Sequence, residues 1–227
     1  LIARLEAAGC VAASEEAAML RSAAGSDTAL LEAMVRRRET GEPVEWIVGW
    51  APFCGLRVGM SAGVYVPRVQ TEGLALRAAS LLPPGGVAVD LATGSGAIAL
   101  VMAAAVPSAR VVATELDPVA AACGRANGVE VYEGDLDSGL PPSLAGRVDV
   151  LTANVPYVPT DAIRLLPRDV QAYEPRLALD GGPDGLDLVR RVLDEVAPKW
   201  LRPGTGVVLV EVGVDRSADR FVEVRNR

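Results

Sequence analysis

The chain has 227 residues, half of them apolar, with 22 basic and 29 acidic side chains and a formal net charge of −7. That length allows one large domain, or one domain with a small appendage, and the acidic balance argues against a sequence-independent grip on a phosphate backbone, which needs Lys and Arg to displace counterions. Histidine is absent, which removes Ser-His-Asp and Cys-His catalysis and histidine-bound zinc, so any chemistry rests on carboxylates, amides, hydroxyls, backbone groups or a cofactor.

The longest apolar run, Ala97 to Val106, is helix-sized and too short to cross a bilayer. The chain opens at Leu1 without a basic stretch followed by an apolar core, so no signal peptide is expected. Cys10, Cys54 and Cys123 are odd in number and form no Cys-x-x-Cys pair. They read as reduced, buried thiols of a cytosolic protein.

Residues 1 to 40 are rich in Ala, Leu, Glu and Arg and read as helices, opened by Ser14 and by Ser26. Leu30, Leu31, Met34 and Val35 recur at helical spacing, as in a helical cap packed on something larger. GEPVEW at 41 to 46 breaks the helical pattern. Trp46 to Ser61 then reads as a β-hairpin with its turn near Cys54-Gly55-Leu56. GVYVPRVQTE at 63 to 72 leads into a helix that starts near Thr71 and stops at Pro83-Pro84-Gly85-Gly86.

Beyond that stop, strands alternate with helices. VAVDL (87–91), ARVVATEL (109–116), VEVYEGD (129–135), RVDVLTAN (147–154) and GVVLVEV (206–212) read as strands. GAIALVMAAA, the segment from Pro118 and the stretch from Asp184 to Trp200 read as helices. The alternation predicts an α/β fold with a parallel sheet covered on both faces. Two connections look too short, so mobile segments are expected to be absent from the numbering near 127/128 and 214–221.

The stretch VDLATGSGAIAL is strand, glycine turn, helix. Gly94 and Gly96 permit positive φ and close approach to a ligand, and the following helix offers free N–H groups at the carboxyl edge of the sheet. The third glycine of the dinucleotide pattern is missing, which counts against a nicotinamide oxidoreductase. Glu115, about 20 residues further on, is placed to accept from both hydroxyls of a ribose. Asp135 stands at the end of the third strand, where an adenine amine can donate to it and Leu136 can pack on the ring.

LTANVPYVPT supplies the other half. Asn154 ends the fourth strand on the same edge. Its side-chain oxygen and the Val155 carbonyl can receive both N–H bonds of a planar NH2 group. Pro156 biases Val155 to extended geometry, and Tyr157 offers a flat ring.

These segments resemble the HemK/PrmC family of protein-glutamine methyltransferases. EPVEWIVGWAPFCGLRV is similar to the family's inter-domain hairpin, GVYVPRVQTE to its GVLIPRPETE, VDLATGSGAIAL to its cofactor loop, NVPY to its NPPY, and YEPRLALDGGPDGLDLVRRVL to a late segment of the family. Val155 stands for a proline, Ala92 for a glycine, and Val69 and Gln70 for a proline and an acid.

The resemblance implies a Rossmann-like class I S-adenosylmethionine-dependent methyltransferase sheet. With it come a small N-terminal helical substrate-docking domain (1–41), a linking β-hairpin (42–72) and the catalytic domain (73–227). It implies S-adenosylmethionine as cofactor, with S-adenosylhomocysteine as product. The cofactor would be held by Asp90, Ala92, Thr93, Gly94, Gly96, Glu115, Asp135, Leu136 and Asn154. Asn154, Val155, Pro156 and Tyr157 would hold the acceptor amide, with no metal. The expected substrate is a glutamine of a peptide-chain release factor, methylated by a monomeric cytoplasmic enzyme that binds neither membrane nor nucleic acid. An amino group of a nucleic-acid base, or cofactor binding without turnover, are the alternatives left by the residues.

Overall fold

In a computed structural model of the chain, described over residues 1–213 and 221–226, four helices come first: α1 (Ile2–Ala7), α2 (Ala13–Ala24), α3 (Thr28–Glu39) and α4 (Val44–Val48). Their apolar faces meet around Leu5, Leu20, Val35 and Ile47. Asp27, not Ser26, opens α3: its carboxylate accepts from Leu30 N at 2.9 Å. The helix α2 starts at Ala13 without a side-chain cap, so Ser14 lies inside its first turn.

The stretch expected to begin a hairpin at Trp46 is helical instead. Val44 and Ile47 are drawn into the helical cluster, and the Trp46 indole N–H donates to the Val64 carbonyl at 2.9 Å. Burial of that face overrides the β-propensity of Val, Trp and Ile. The hairpin itself is β1 (Trp50–Phe53) and β2 (Leu56–Gly59). Its turn, Cys54-Gly55, has φ of 48° and 74°, the two positive values that a tight hairpin turn requires.

The second unit opens with α5 (Glu72–Leu81) and continues as β3 (Val87–Leu91), α6 (Ala97–Ala105), β4 (Arg110–Glu115), α7 (Pro118–Ala126), β5 (Glu130–Glu133) and β6 (Val150–Ala153). It closes with α8 (Arg168–Tyr173), α9 (Asp187–Arg191), α10 (Ala197–Trp200), β7 (Val207–Glu211) and β8 (Phe221–Arg225). The sheet runs β5-β4-β3-β6-β7-β8. Every pair is parallel except β7 with β8. No role for β8 is legible from the sequence; it adds an antiparallel edge.

Alternate residues of the buried strands serve opposite faces. Val89, Leu151 and Val208 pack with Val192, Val196 and Trp200. Ala88, Val150 and Leu209 pack with Leu74, Ala78 and Met102 of α5 and α6. Each fully buried Val or Leu contributes about 1.5–3 kcal/mol.

The chain is continuous at 127/128, contrary to the expected gap. Gly128 N donates to Arg125 O at 2.9 Å and Val129 N to Gly124 O at 3.1 Å, with Gly128 at φ 89°. This paired closure of a helix end turns the chain into β5 within three residues. The other expected gap, 214–221, lies outside the described residues up to Phe221, where β8 begins. Cys10 and Cys123 are buried, Cys54 is partly buried, and all three are free. Among the described residues no helix is long and apolar enough to cross a membrane.

The topology fixes where a ligand can sit. From β3 the chain crosses through α6 to β4 on one side, while β6 flanks β3 on the other. The crevice outside the carboxyl ends of β3 and β6 is therefore the switch point of the sheet. The glycine turn and Asn154 both emerge there.

Candidate active site

The turn after β3 is held by its own polar groups. Thr93 N donates to Thr114 O at 3.0 Å, and Gly96 N to Thr93 O at 2.9 Å. Asp90, fully buried, accepts from Thr93 Oγ1 at 2.5 Å and from Thr152 Oγ1 at 2.7 Å. Burial pushes its carboxyl up to about 6 against the pull of those hydroxyls. Asp90 thus ties the turn to β6, and it acts from behind the cavity wall.

Gly94 and Gly96 are glycines for different reasons. Gly94 has φ 59°, and a Cβ there would meet no protein atom within 4 Å. Gly96 has φ 85°, and its Cβ would lie 2.8 Å from Val129 Cγ2, so it serves packing. Ala92 takes φ 51° with a side chain, a strained value for any residue but glycine.

Gly94 N donates to Glu115 Oε2 at 2.8 Å, while Leu116 N and Asp117 N donate to Oε1 at 2.8 and 3.0 Å. Burial raises the Glu115 carboxyl, and these backbone N–H groups oppose the shift. The carboxylate is fixed in place, with one acceptor site, on Oε2, left over for a ribose hydroxyl.

On the other side, Asn154 follows directly on β6. Its Nδ2 donates to Thr71 Oγ1 at 3.4 Å. Val155 is 1% exposed, and among the described residues no backbone N–H bonds its carbonyl. The Tyr157 hydroxyl donates to Glu211 Oε1 at 3.4 Å, and burial raises that phenol well above its ordinary value.

The late glycine-rich segment supports this loop from below. Val158 N donates to Leu179 O at 3.0 Å and Gly181 N to Val158 O at 2.9 Å. A Cβ on Gly181 would lie 2.7 Å from Pro156 O, and one on Gly185 would lie 2.3 Å from Tyr157 O. The glycines are there because another backbone is.

One cavity of about 320 Å³ collects the two halves. Of the residues expected to form the site, Ala92, Thr93, Gly94, Glu115, Asp135, Leu136, Asn154, Val155, Pro156 and Tyr157 line it. Asp90 and Gly96 do not. Asp135 also pairs through both oxygens with Arg191, at 2.9 and 3.3 Å. Leu136 is buried at φ 47°.

The sequence reading missed Tyr65, Thr71 and Ile98, which also line the cavity, and the ion pair of Arg68 with the buried Glu174 behind Tyr65. Tyr65, Thr71 and the ion pair were hinted at only by GVYVPRVQTE and YEPR, whose meeting depends on tertiary contacts, while Ile98 stands in VDLATGSGAIAL, two residues after Gly96. The residues present fit S-adenosylmethionine. The Gly94 side is open, Glu115 is a fixed acceptor for a ribose, and Leu136 and Ile98 are apolar surfaces for a flat base.

No family model matches the chain. It is 36% identical over 197 residues to the release factor glutamine methyltransferase of Geobacter sulfurreducens, covering 84% of this chain and 68% of that protein. It is 39% identical over 190 residues to a 4-amino-L-phenylalanine/4-methylamino-L-phenylalanine methyltransferase of Streptomyces pristinaespiralis, covering 79% of this chain and 64% of that one. Among solved structures, the hMettl16 catalytic domain in complex with MAT2A 3'UTR hairpin 6 superposes with a TM-score of 0.53 at 16% identity, covering 82% of this chain and 67% of that one. That likeness shows the fold, the α/β sheet of the class I S-adenosylmethionine-dependent methyltransferases. With a relative this similar matched over two thirds of its own length, the chain belongs to the release factor glutamine methyltransferase family.

Proposed function

We propose that the protein transfers a methyl group from S-adenosylmethionine to the side-chain amide nitrogen of a glutamine in a peptide-chain release factor. One observation carries this reading. A single cavity is lined at once by Gly94 and Glu115 of the glycine-turn side and by Asn154, Val155 and Tyr157 of the strand-end loop. The family membership supports the same acceptor.

S-adenosylmethionine supplies, when bound, an electrophilic methyl carbon on a positive sulfonium. The chain's residues bind and orient. Gly94 leaves room for close approach, Glu115 accepts from a ribose, and Leu136 covers a base. Asn154 Oδ1 and the Val155 carbonyl receive the two N–H bonds of the acceptor, and Tyr157 lies against its plane.

An amide nitrogen is a poor nucleophile. The two oxygens tighten their hold as positive charge develops on it, while fixed orientation supplies roughly 7–11 kcal/mol of the barrier reduction. Neither oxygen is basic enough to keep the displaced proton, which leaves to water. No histidine is needed for such a transfer.

The helical segment 1–41 is taken to dock the protein substrate. We take the enzyme to act in the cytoplasm as a monomer, without direct contact to nucleic acid; the net charge of −7 and the free thiols support this. A second reading, an aromatic amine of a small amino acid as acceptor, is favoured by the similarity to the Streptomyces pristinaespiralis enzyme, since the same two oxygens fit any planar NH2 group. Tritiated methyl transfer to protein, RNA and small-molecule fractions of a cell extract separates the readings. Label is expected in protein; label confined to RNA or to small molecules contradicts the assignment.

A further inference from the structure

Tyr65 lines the same cavity as Asn154 and Tyr157. Arg68 stands over its ring, with the guanidinium carbon 5.1 Å from the centroid, and Arg68 is itself anchored on the buried carboxylate of Glu174. An arginine carries donors and no acceptor. The hydroxyl proton of Tyr65 is therefore left for an acceptor other than its neighbour. Two other polar groups lining the cavity are committed differently. The Tyr157 proton goes to Glu211, and the Thr71 oxygen takes the Asn154 amide.

The acceptor proposed above has a requirement that Asn154 and Val155 do not meet. A primary amide brings a carbonyl oxygen along with its NH2 group, and enclosing that oxygen without a donor is costly. We infer that Tyr65 is a specificity-determining residue: its hydroxyl donates to the carbonyl oxygen of the amide whose NH2 group is held by Asn154 and Val155. The inference rests on the amide reading of the acceptor. Burial raises the phenol and outweighs the opposing pull of Arg68, so Tyr65 keeps its proton at neutral pH.

The donor also distinguishes acceptor classes. An aromatic amine has no carbonyl oxygen to receive the bond, so Tyr65 favours amides over it. In the family segment GVLIPRPETE, leucine stands where this chain has Tyr65. Loss of the hydroxyl should weaken transfer without abolishing it, because Asn154 and Val155 still hold the NH2 group.

The test is steady-state methyl transfer by the full chain to an unmethylated release factor, comparing wild type, Tyr65→Phe and Tyr65→Leu, with S-adenosylhomocysteine affinity measured by calorimetry on each. The expected result is a fall of about tenfold in kcat/KM for the release factor in both variants, with S-adenosylhomocysteine affinity unchanged. Wild-type kcat/KM in both variants overturns the inference and leaves the amide reading standing. Loss of S-adenosylhomocysteine affinity in step with activity, in Tyr65→Phe as well as Tyr65→Leu, shows a purely structural role and overturns it too. A wild-type protein that leaves the release factor unmodified overturns the acceptor assignment and this inference with it.

Discussion

Asn154 Nδ2 donates to Thr71 Oγ1 at 3.4 Å, across 83 residues of chain. The bond turns the amide so that its nitrogen faces the protein and its oxygen is left for the proposed acceptor. Thr71→Val keeps the shape and removes the partner. Transfer to the acceptor should fall about three- to tenfold, the worth of one modest hydrogen bond. Affinity for S-adenosylhomocysteine should not change. Equal loss of both would mean that Thr71 supports the fold and not the amide.

Asp90 gives a pH prediction whose sign is the reverse of an ordinary paired carboxylate. Burial raises its pKa from 3.8 to about 6. Between those values the folded chain keeps a proton that the unfolded chain has released. Its contribution to stability is therefore largest below the unfolded value and is lost as pH rises through the folded one, by roughly 2–3 kcal/mol in all. Asp90→Asn does not titrate. The stability of wild type relative to this variant, from denaturant unfolding, should decline between about pH 4 and about pH 7. A constant difference across that range contradicts the assignment.

Ala92 holds φ 51°, which costs a non-glycine residue roughly 1–2 kcal/mol. Glycine removes that strain and adds roughly 0.5–1 kcal/mol of lost unfolded-state freedom. Strain wins, so Ala92→Gly should stabilise the protein by about 0.5–1 kcal/mol and raise Tm by about 2 °C. A lower Tm would show that the methyl group packs more favourably than its backbone angle suggests.

Gly185 bears on the loop of Asn154 to Tyr157 from outside the cavity. At φ 78°, with any Cβ only 2.3 Å from Tyr157 O, it cannot take a side chain without moving that loop. Gly185→Ala should lower methyl transfer about a hundredfold, as misplacement of the acceptor by about an ångström does. S-adenosylhomocysteine affinity should survive, because Gly94 and Glu115 lie on other elements. Unchanged transfer would show that the loop holds its position without this support.

The glycine-turn half of the cavity was legible because it is local. A buried strand, a glycine turn and a helix follow one another within a dozen residues, and Glu115 stands at the end of the next strand. Asn154 to Tyr157 were legible for the same reason. What the sequence hides is support from a distance. Thr71 steadies Asn154, Gly181 and Gly185 press on Pro156 and Tyr157, and Arg68 meets Glu174 across 106 residues. The misreading at 44–48 has the same origin: Val44, Trp46 and Ile47 have strand propensities, and only their burial against other helices and Val64 makes that segment helical. The closure at Gly128 was readable as a glycine after a helix, yet its brevity suggested missing chain.

The central claim is that Asn154 orients the acceptor amide of a release-factor glutamine within the cavity that holds the cofactor. Peptide mass spectrometry of an unmethylated release factor, incubated with S-adenosylmethionine and either wild type or Asn154→Ala, tests it most directly when S-adenosylhomocysteine affinity is measured on both proteins. The account predicts a single methyl group on one glutamine with wild type, none with the variant, and the same S-adenosylhomocysteine affinity in both. Methylation of that glutamine by Asn154→Ala at the wild-type rate would contradict it.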